Sequence, residues 1–279
     1  MILEVPDGKL YYETEGGGIP CVVPVPGYQG YLTRTLSEPL RKRFRFHFLH
    51  MRGNGRSQSF PLEVVTLDAM LADFDALRQQ VGVERMGILG HSAMGCMALE
   101  YARRYPDSTP FVISIGAPPR MPEHFQKTAT YWDAHADQER KRIFDENMAK
   151  LDVSGASPED HFYLIYRAMG PRYWYDPHFD CAPLASDMKV DLEGTGHIFG
   201  SVIPNLDPTP YFPEIACPVF LAQGSYDFSV PHVLWKGLPE TFPNATYVEF
   251  ERSGHYPMYE ERELFDAELF AWMDRNSIG

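Results

Sequence analysis

The sequence predicts an α/β chain: a mostly parallel sheet flanked by helices, with one mainly helical insertion. Three observations carry this. Short apolar runs of strand length alternate with segments of helical period toward both ends of the chain. One such run, Arg85 to Leu89, passes through Gly90-His91-Ser92 straight into a helix-forming stretch. The alternation then stops between Pro118 and Pro213. Strands that read as continuous apolar runs between helices are covered on both faces, as parallel strands are.

In chain order, Lys9 to Glu15 and Cys21 to Val25 read as an opening strand pair around the Gly16-Gly17-Gly18 turn. Phe44 to Leu49 is the next strand, ending at a loop with Gly53 and Gly55. Leu67 to Val81 places Leu67, Met70, Leu71, Phe74, Leu77 and Val81 at helical spacing, a face that packs on the sheet. Arg85 to Leu89 and Phe111 to Gly116 are buried strands. Trp132 to Leu151 and Pro158 to Met169 are helical stretches within the region where alternation fails. Glu260 to Met273 is an amphipathic helix that closes the core.

Ser92 stands on a sharp strand-to-helix turn. Such a turn pushes the serine Oγ out of the sheet. It also leaves the next N–H, that of Ala93, at a helix N-terminus, where partial positive charge favours an oxyanion. A Gly-x-Ser alone could equally be a connection whose serine caps the helix. The downstream partners separate the two readings. Val219 to Asp227 is an apolar strand ending in a turn that carries an acid. Thr246 to His255 is another, ending in a turn that carries a histidine. A serine hydroxyl is a weak nucleophile near neutral pH and needs a base. Histidine is the side chain suited to that role near neutral pH; His255 would take the proton, and Asp227 would orient it and stabilise its imidazolium.

Serine, acid and histidine in that order, each after a strand's carboxyl end, resemble the α/β-hydrolase fold superfamily over essentially the whole chain. Within it, Phe44 to Ser57 and Gly224 to Pro231 resemble the proline iminopeptidase-like and N-acyl homoserine lactone hydrolase-like branch. The resemblance implies that Tyr28, after Gly27, supplies the second oxyanion N–H beside that of Ala93. It further implies a core of residues 1–117 and 214–279 and a cap of residues 118–213 over the active site. His91, beside the nucleophile, reads as packing.

The chain departs from the family pattern at three positions. Met94, two after the serine, stands where Gly or Ala lets helix and strand approach; the glycine comes next, as Gly95. Pro26 replaces the histidine of His-Gly, and His50 replaces the aspartate before Arg52-Gly53.

Candidate substrate-binding residues are Met94, which would reshape the space behind the elbow, and the cap residues Tyr166, Tyr173, Trp174, Tyr175 and His197. Aromatic lining with few polar groups suits a small-ligand pocket. The other reading, for most of the cap aromatics, is that they form the cap's own small core.

At 279 residues the chain is long enough for one full α/β domain with an insertion. The formal net charge of −13, from 38 acidic and 25 basic residues, argues against nucleic acid and anionic membranes as partners. No signal peptide or membrane span is read, and the four cysteines show no zinc or redox spacing, which points to buried reduced thiols in a cytoplasmic protein. No metal or other cofactor is expected.

The expected chemistry is acyl transfer from a small-molecule substrate with an apolar acyl part (an ester, lactone or amide) through Ser92. An aminopeptidase of the proline iminopeptidase type is the alternative. It lacks support at the oxyanion loop, where Val25-Pro26-Gly27-Tyr28 stands instead of His-Gly-Gly-Pro-Gly, and it requires cap acids such as Glu193 or Glu214 to hold an amino terminus. A receptor-like binding module and a cofactor-independent oxygenase are further readings of the same fold.

Overall fold

The structure, a computed structural model, describes residues 1–26, 29–185, 188 and 190–279. Its strands are β1 (Ile2–Val5), β2 (Gly8–Gly16), β3 (Ile19–Val25), β4 (Phe44–His50), β5 (Gly87–His91), β6 (Val112–Ile115), β7 (Val219–Gly224) and β8 (Ala245–Phe250). They form one sheet in the order β1-β2-β4-β3-β5-β6-β7-β8. β1 and β2 run antiparallel to their neighbours; from β4 to β8 every pairing is parallel.

β2 and β3 are not partners, although the sequence reads them as a pair. The glycine turn joins them, but β4 lies between, with Thr14 opposite His47 on one side and Val22 opposite His47 on the other. The turn is built to pass that strand closely. Gly16 has φ +80°, and a Cβ on Gly18 would overlap the Arg43 carbonyl.

Between β3 and β4 run α1 (Gln29–Thr35) and α2 (Glu38–Arg43); α3 (Leu67–Gln80) precedes β5 and α4 (Ala93–Arg104) follows it. The described residues between β6 and β7 carry α5 (His124–His135), α6 (Gln138–Lys150), α7 (Pro158–Ala168), α8 (Ala182–Ala185) and α9 (Leu192–His197). The stretch Trp132 to Leu151 is thus two helices, because Asp137 caps a new one by accepting the Arg140 N–H at 2.7 Å. α10 (Pro257–Glu260) and α11 (Arg262–Arg275) end the chain. None of the described helices is long and apolar enough to cross a membrane.

Period-two alternation sends each parallel strand's side chains to both faces. Val22, Ile88, Val112, Val219 and Leu221 meet α3 and α4 on one side. Val23, Leu89, Ile113, Phe220 and Ala222 meet Phe265, Leu269, Trp272 and Met273 of α11 on the other. α3 fits its side through a stripe of Met70, Leu71, Phe74 and Leu77; Thr66 caps its start, and Gly82 at φ +72° ends it. Cys21, Cys96, Cys181 and Cys217 are buried and free.

Strand order reverses between β3 and β5, and open α/β sheets bind ligands in the crevice beyond the carboxyl ends of such a pair. Pro26 leaves β3 there, and Ser92 leaves β5.

Candidate active site

Ser92 adopts φ 59° and ψ −138°, a backbone conformation that L-residues rarely hold and that costs about 1–3 kcal/mol. The surroundings enforce it. Its N–H donates to the Ile115 carbonyl at 2.9 Å, and its carbonyl accepts the Gly95 N–H at 2.8 Å. A Cβ on Gly90 would overlap the Met94 carbonyl and the Gly95 backbone; one on Gly95 would overlap Ala117 and Ser114. The close approach of helix to strand is therefore made by Gly95, three residues after the serine. Met94 is free to be large, because it turns into the core beneath the elbow, 3% exposed. Ala93 opens α4, and its N–H has no acceptor within the helix.

Asp227 and His255 follow β7 and β8. His255 Nδ1 lies 2.6 Å from Asp227 Oδ2, with both side chains buried. Asp227 Oδ1 accepts the N–H groups of Ser229 at 2.8 Å and Val230 at 2.7 Å, so the carboxylate cannot rotate away. The histidine turn is held equally firmly. A Cβ on Gly224 would overlap the Gly254 and Ser253 carbonyls. Glu260 and Glu261 accept the Gly254 and Arg252 N–H groups, each at 2.8 Å. His91, the residue before the elbow, packs edge-on against His255 and lies flat on Tyr256, its Nε2 3.0 Å from the His255 carbonyl.

Ser92 and His255 open onto one cavity of about 340 Å³, walled in part by Pro26, Ala93, Tyr166 and Tyr173. Phe162, Tyr166 and Tyr173 form a ring stack along it, with centroids 6.3 and 4.7 Å apart, and Tyr173 reaches 5.8 Å from the His255 ring. The Tyr166 hydroxyl is paired with that of Tyr31 at 2.7 Å, so the stack presents mainly apolar faces. Among the described lining residues there is no Asp, Glu, Lys or Arg.

Of the residues read as substrate-binding, Tyr166 and Tyr173 line this cavity. Met94, Trp174, Tyr175 and His197 do not, and each has a reason. Met94 points into the core. Trp174 stacks behind Tyr256 at 4.8 Å, one layer from the wall. Tyr175 is on the outside, edge-on to Tyr226. His197 lies 3.1 Å from the Val65 carbonyl. Tyr28 lies outside the described residues. The sequence reading missed Met121, His124, Phe125, Val190 and Phe199, which also line the cavity. Their only signal is position in the insertion, since folding of the insertion over the sheet brings them together. His50, in the place of the usual aspartate, accepts the Arg56 N–H at 3.1 Å, and Arg52 forms a two-pronged pair with buried Asp73 at 2.7 and 2.9 Å.

Four buried histidines are held neutral by desolvation. His47, His50 and His124 are pushed down to about 4, and His91 falls well below its ordinary value. A histidine whose folded pKa is depressed contributes stability above its unfolded value near 6.5, lost as pH falls toward the folded value. Urea unfolding at pH 7, 6 and 5 is expected to show stability dropping across this window. An unchanged midpoint from pH 7 to 5 would contradict the neutral assignment.

The alpha/beta hydrolase fold family model matches residues 20–149. AB hydrolase superfamily protein YclE of Bacillus subtilis is 31% identical over 273 residues, 95% of each chain. This chain belongs to the α/β-hydrolase superfamily. A putative carbamate hydrolase, RutD of a Caulobacter species, is 25% identical to this α/β-hydrolase across 95% of each chain. An alpha/beta fold family hydrolase from Bacillus anthracis shares its fold with a TM-score of 0.76, at 22% identity over 99% of this chain and 98% of that one. The relatives also include a methyl ester esterase from Chromobacterium violaceum, 27% identical over 92% of this chain and 95% of its own. A proline iminopeptidase from Heyndrickxia coagulans is 23% identical over 94% of each chain.

Proposed function

We propose that the protein is a serine hydrolase that cleaves an uncharged small-molecule ester, lactone or amide. The observation that carries this is the 2.6 Å pair of Asp227 with His255, facing the cavity onto which Ser92 opens. His255 takes the Ser92 proton as Oγ attacks the carbonyl carbon. The N–H of Ala93, and that of Tyr28 by resemblance, hold the oxygen as it gains charge. His255 then gives the proton to the leaving group. Water, deprotonated by the same ring, cleaves the acyl-enzyme. The insertion of residues 118–213 acts as the cap, supplying the aromatic wall.

The wall favours the ester, lactone or amide over the aminopeptidase. A free ammonium held in a buried site needs a carboxylate. Glu193 and Glu214 are exposed residues outside the described cavity lining. Binding by burial contributes about 0.8 kcal/mol per CH₂, so kcat/KM should rise about fourfold for each methylene added to a short acyl chain until the cavity is full. The test compares p-nitrophenyl esters of increasing length and N-acyl homoserine lactones with a prolyl arylamide. Fast prolyl release with negligible ester and lactone turnover would replace this reading with the aminopeptidase.

A further inference from the structure

We propose that Arg140 is a positioning residue for the Asp227–His255 pair, acting through the cap segment of residues 171–175; this rests on the triad reading above. Arg140 lies on α6, outside the cavity, and is 2% exposed. Its Nη1 donates to the carbonyls of Pro171 at 2.6 Å and Trp174 at 2.8 Å, and its Nη2 to that of Tyr175 at 2.5 Å. It pairs with no carboxylate among the described residues. Its guanidinium sits 5.2 Å over the Phe228 ring and 5.7 Å over the Tyr226 ring, the two neighbours of Asp227. A buried cation held by carbonyls and ring faces, with Asp137, Glu260 and Asp176 acting on it by charge but not enough to offset its burial, gains little net stability. What the planar fork supplies is direction, fixing three carbonyls of one five-residue segment.

That segment is bonded to both halves of the pair. The Arg172 carbonyl accepts the Phe228 N–H at 3.0 Å, next to Asp227. The Tyr173 carbonyl accepts the N–H of His255 itself at 2.6 Å. The Tyr175 N–H donates to Glu260 Oε1 at 2.6 Å, and Oε2 of the same carboxylate accepts the Gly254 N–H at 2.8 Å. Gly254 has no room for a Cβ, because the Tyr173 carbonyl occupies the place. The segment therefore lies between the acid loop and the histidine turn like a shared strand, and Arg140 sets its height. Releasing it lets His255 and Asp227 drift relative to each other, and Tyr173 with them, while Ser92 and the rest of the described cavity wall stay in place.

The test uses the full protein with Arg140→Met and Arg140→Lys. Each is labelled with a fluorophosphonate to count reactive Ser92, then assayed for kcat, KM and the pH profile of kcat/KM on an activated ester. The ring of His255 is faced by Asp227, His91, Tyr173 and Tyr256; His124 acts on it from α5, and Arg172 and Glu260, whose carboxyl burial pushes up to about 8, act on Asp227. Of the groups facing the ring, only Asp227 stabilises the imidazolium by charge. A loosened pair supports the imidazolium less, so in Arg140→Lys, which keeps the cation, the acid limb is expected to move to lower pH. Per labelled site, Arg140→Met is expected to lose about 10- to 100-fold in kcat, the scale of a displacement of about 1 Å at reacting groups. KM should change less than kcat, because of residues 171–175 only Tyr173 is in the described cavity lining. Arg140→Lys keeps the charge but not the fork and should lose activity in the same direction. Wild-type kcat in Arg140→Met and a wild-type acid limb in Arg140→Lys would overturn the proposal. So would a fall in activity matched by a fall in labelled sites, with the Arg140→Lys acid limb unmoved. If instead the wild-type protein takes no label and Ser92→Ala keeps its turnover, the triad reading itself fails, and the Arg140 proposal falls with it.

Discussion

Ser92→Ala is expected to lose about 10³-fold or more in kcat on any substrate the protein turns over, and to remain folded. The residues of such a constellation act as a unit, so removing the nucleophile alone removes most of what the three do together. Structure suffers little. The Ser92 side chain makes no capping hydrogen bond to α4, so deleting Oγ removes no helix cap. The backbone bonds to Ile115 and Gly95 remain. Covalent labelling by a fluorophosphonate, read by mass, should go from one equivalent to none. Near-wild-type ester hydrolysis by the folded variant would remove the mechanism.

Asp227→Asn is expected to cost about 10⁴-fold in kcat with little change in stability. The local bonding says why. In the wild-type protein Oδ1 accepts two N–H groups, from Ser229 and Val230, while Oδ2 faces His255 Nδ1. An asparagine keeps those two donors only if its carbonyl oxygen takes the Oδ1 place. Its NH₂ then points at Nδ1, which must become an acceptor, and the ring carries its proton on Nε2, toward Ser92. That tautomer cannot take the serine proton. The prediction is checked by kcat together with the chemical shifts of the His255 ring nitrogens. Full activity with an unchanged tautomer would place the orienting acid elsewhere.

The sequence carries much of the sheet and of the candidate chemistry, and the reasons are local. Gly90-His91-Ser92 between an apolar run and a helix is a short-range pattern, and so are the acid and histidine turns after β7 and β8. The pairing of strands is not local. Nothing in residues 9–25 shows that β4 will slide between β2 and β3, because that depends on the antiparallel match of β4 with β2 far along the chain. Gly95 is a similar case. Its spacing from Ser92 looked irregular, and only the contact with Ser114 and Ala117 explains it. The cavity wall was least legible. Tyr173 and Trp174 are adjacent aromatics in one proline-rich stretch, yet one faces the cavity and the other packs behind Tyr256. Their directions are set by the carbonyls that Arg140, Phe228 and His255 bind, which no periodicity displays.

The strained backbone at Ser92 has a consequence for the protein's history under selection. Glycine occupies positive φ without penalty, so Ser92→Gly would relax the turn and raise thermal endurance while abolishing the nucleophile. A laboratory lineage selected only for surviving heat would gather that change early, and a lineage required to hydrolyse its substrate would be barred from it. The elbow is one place where this chain's most stable sequence and its most useful one are different molecules.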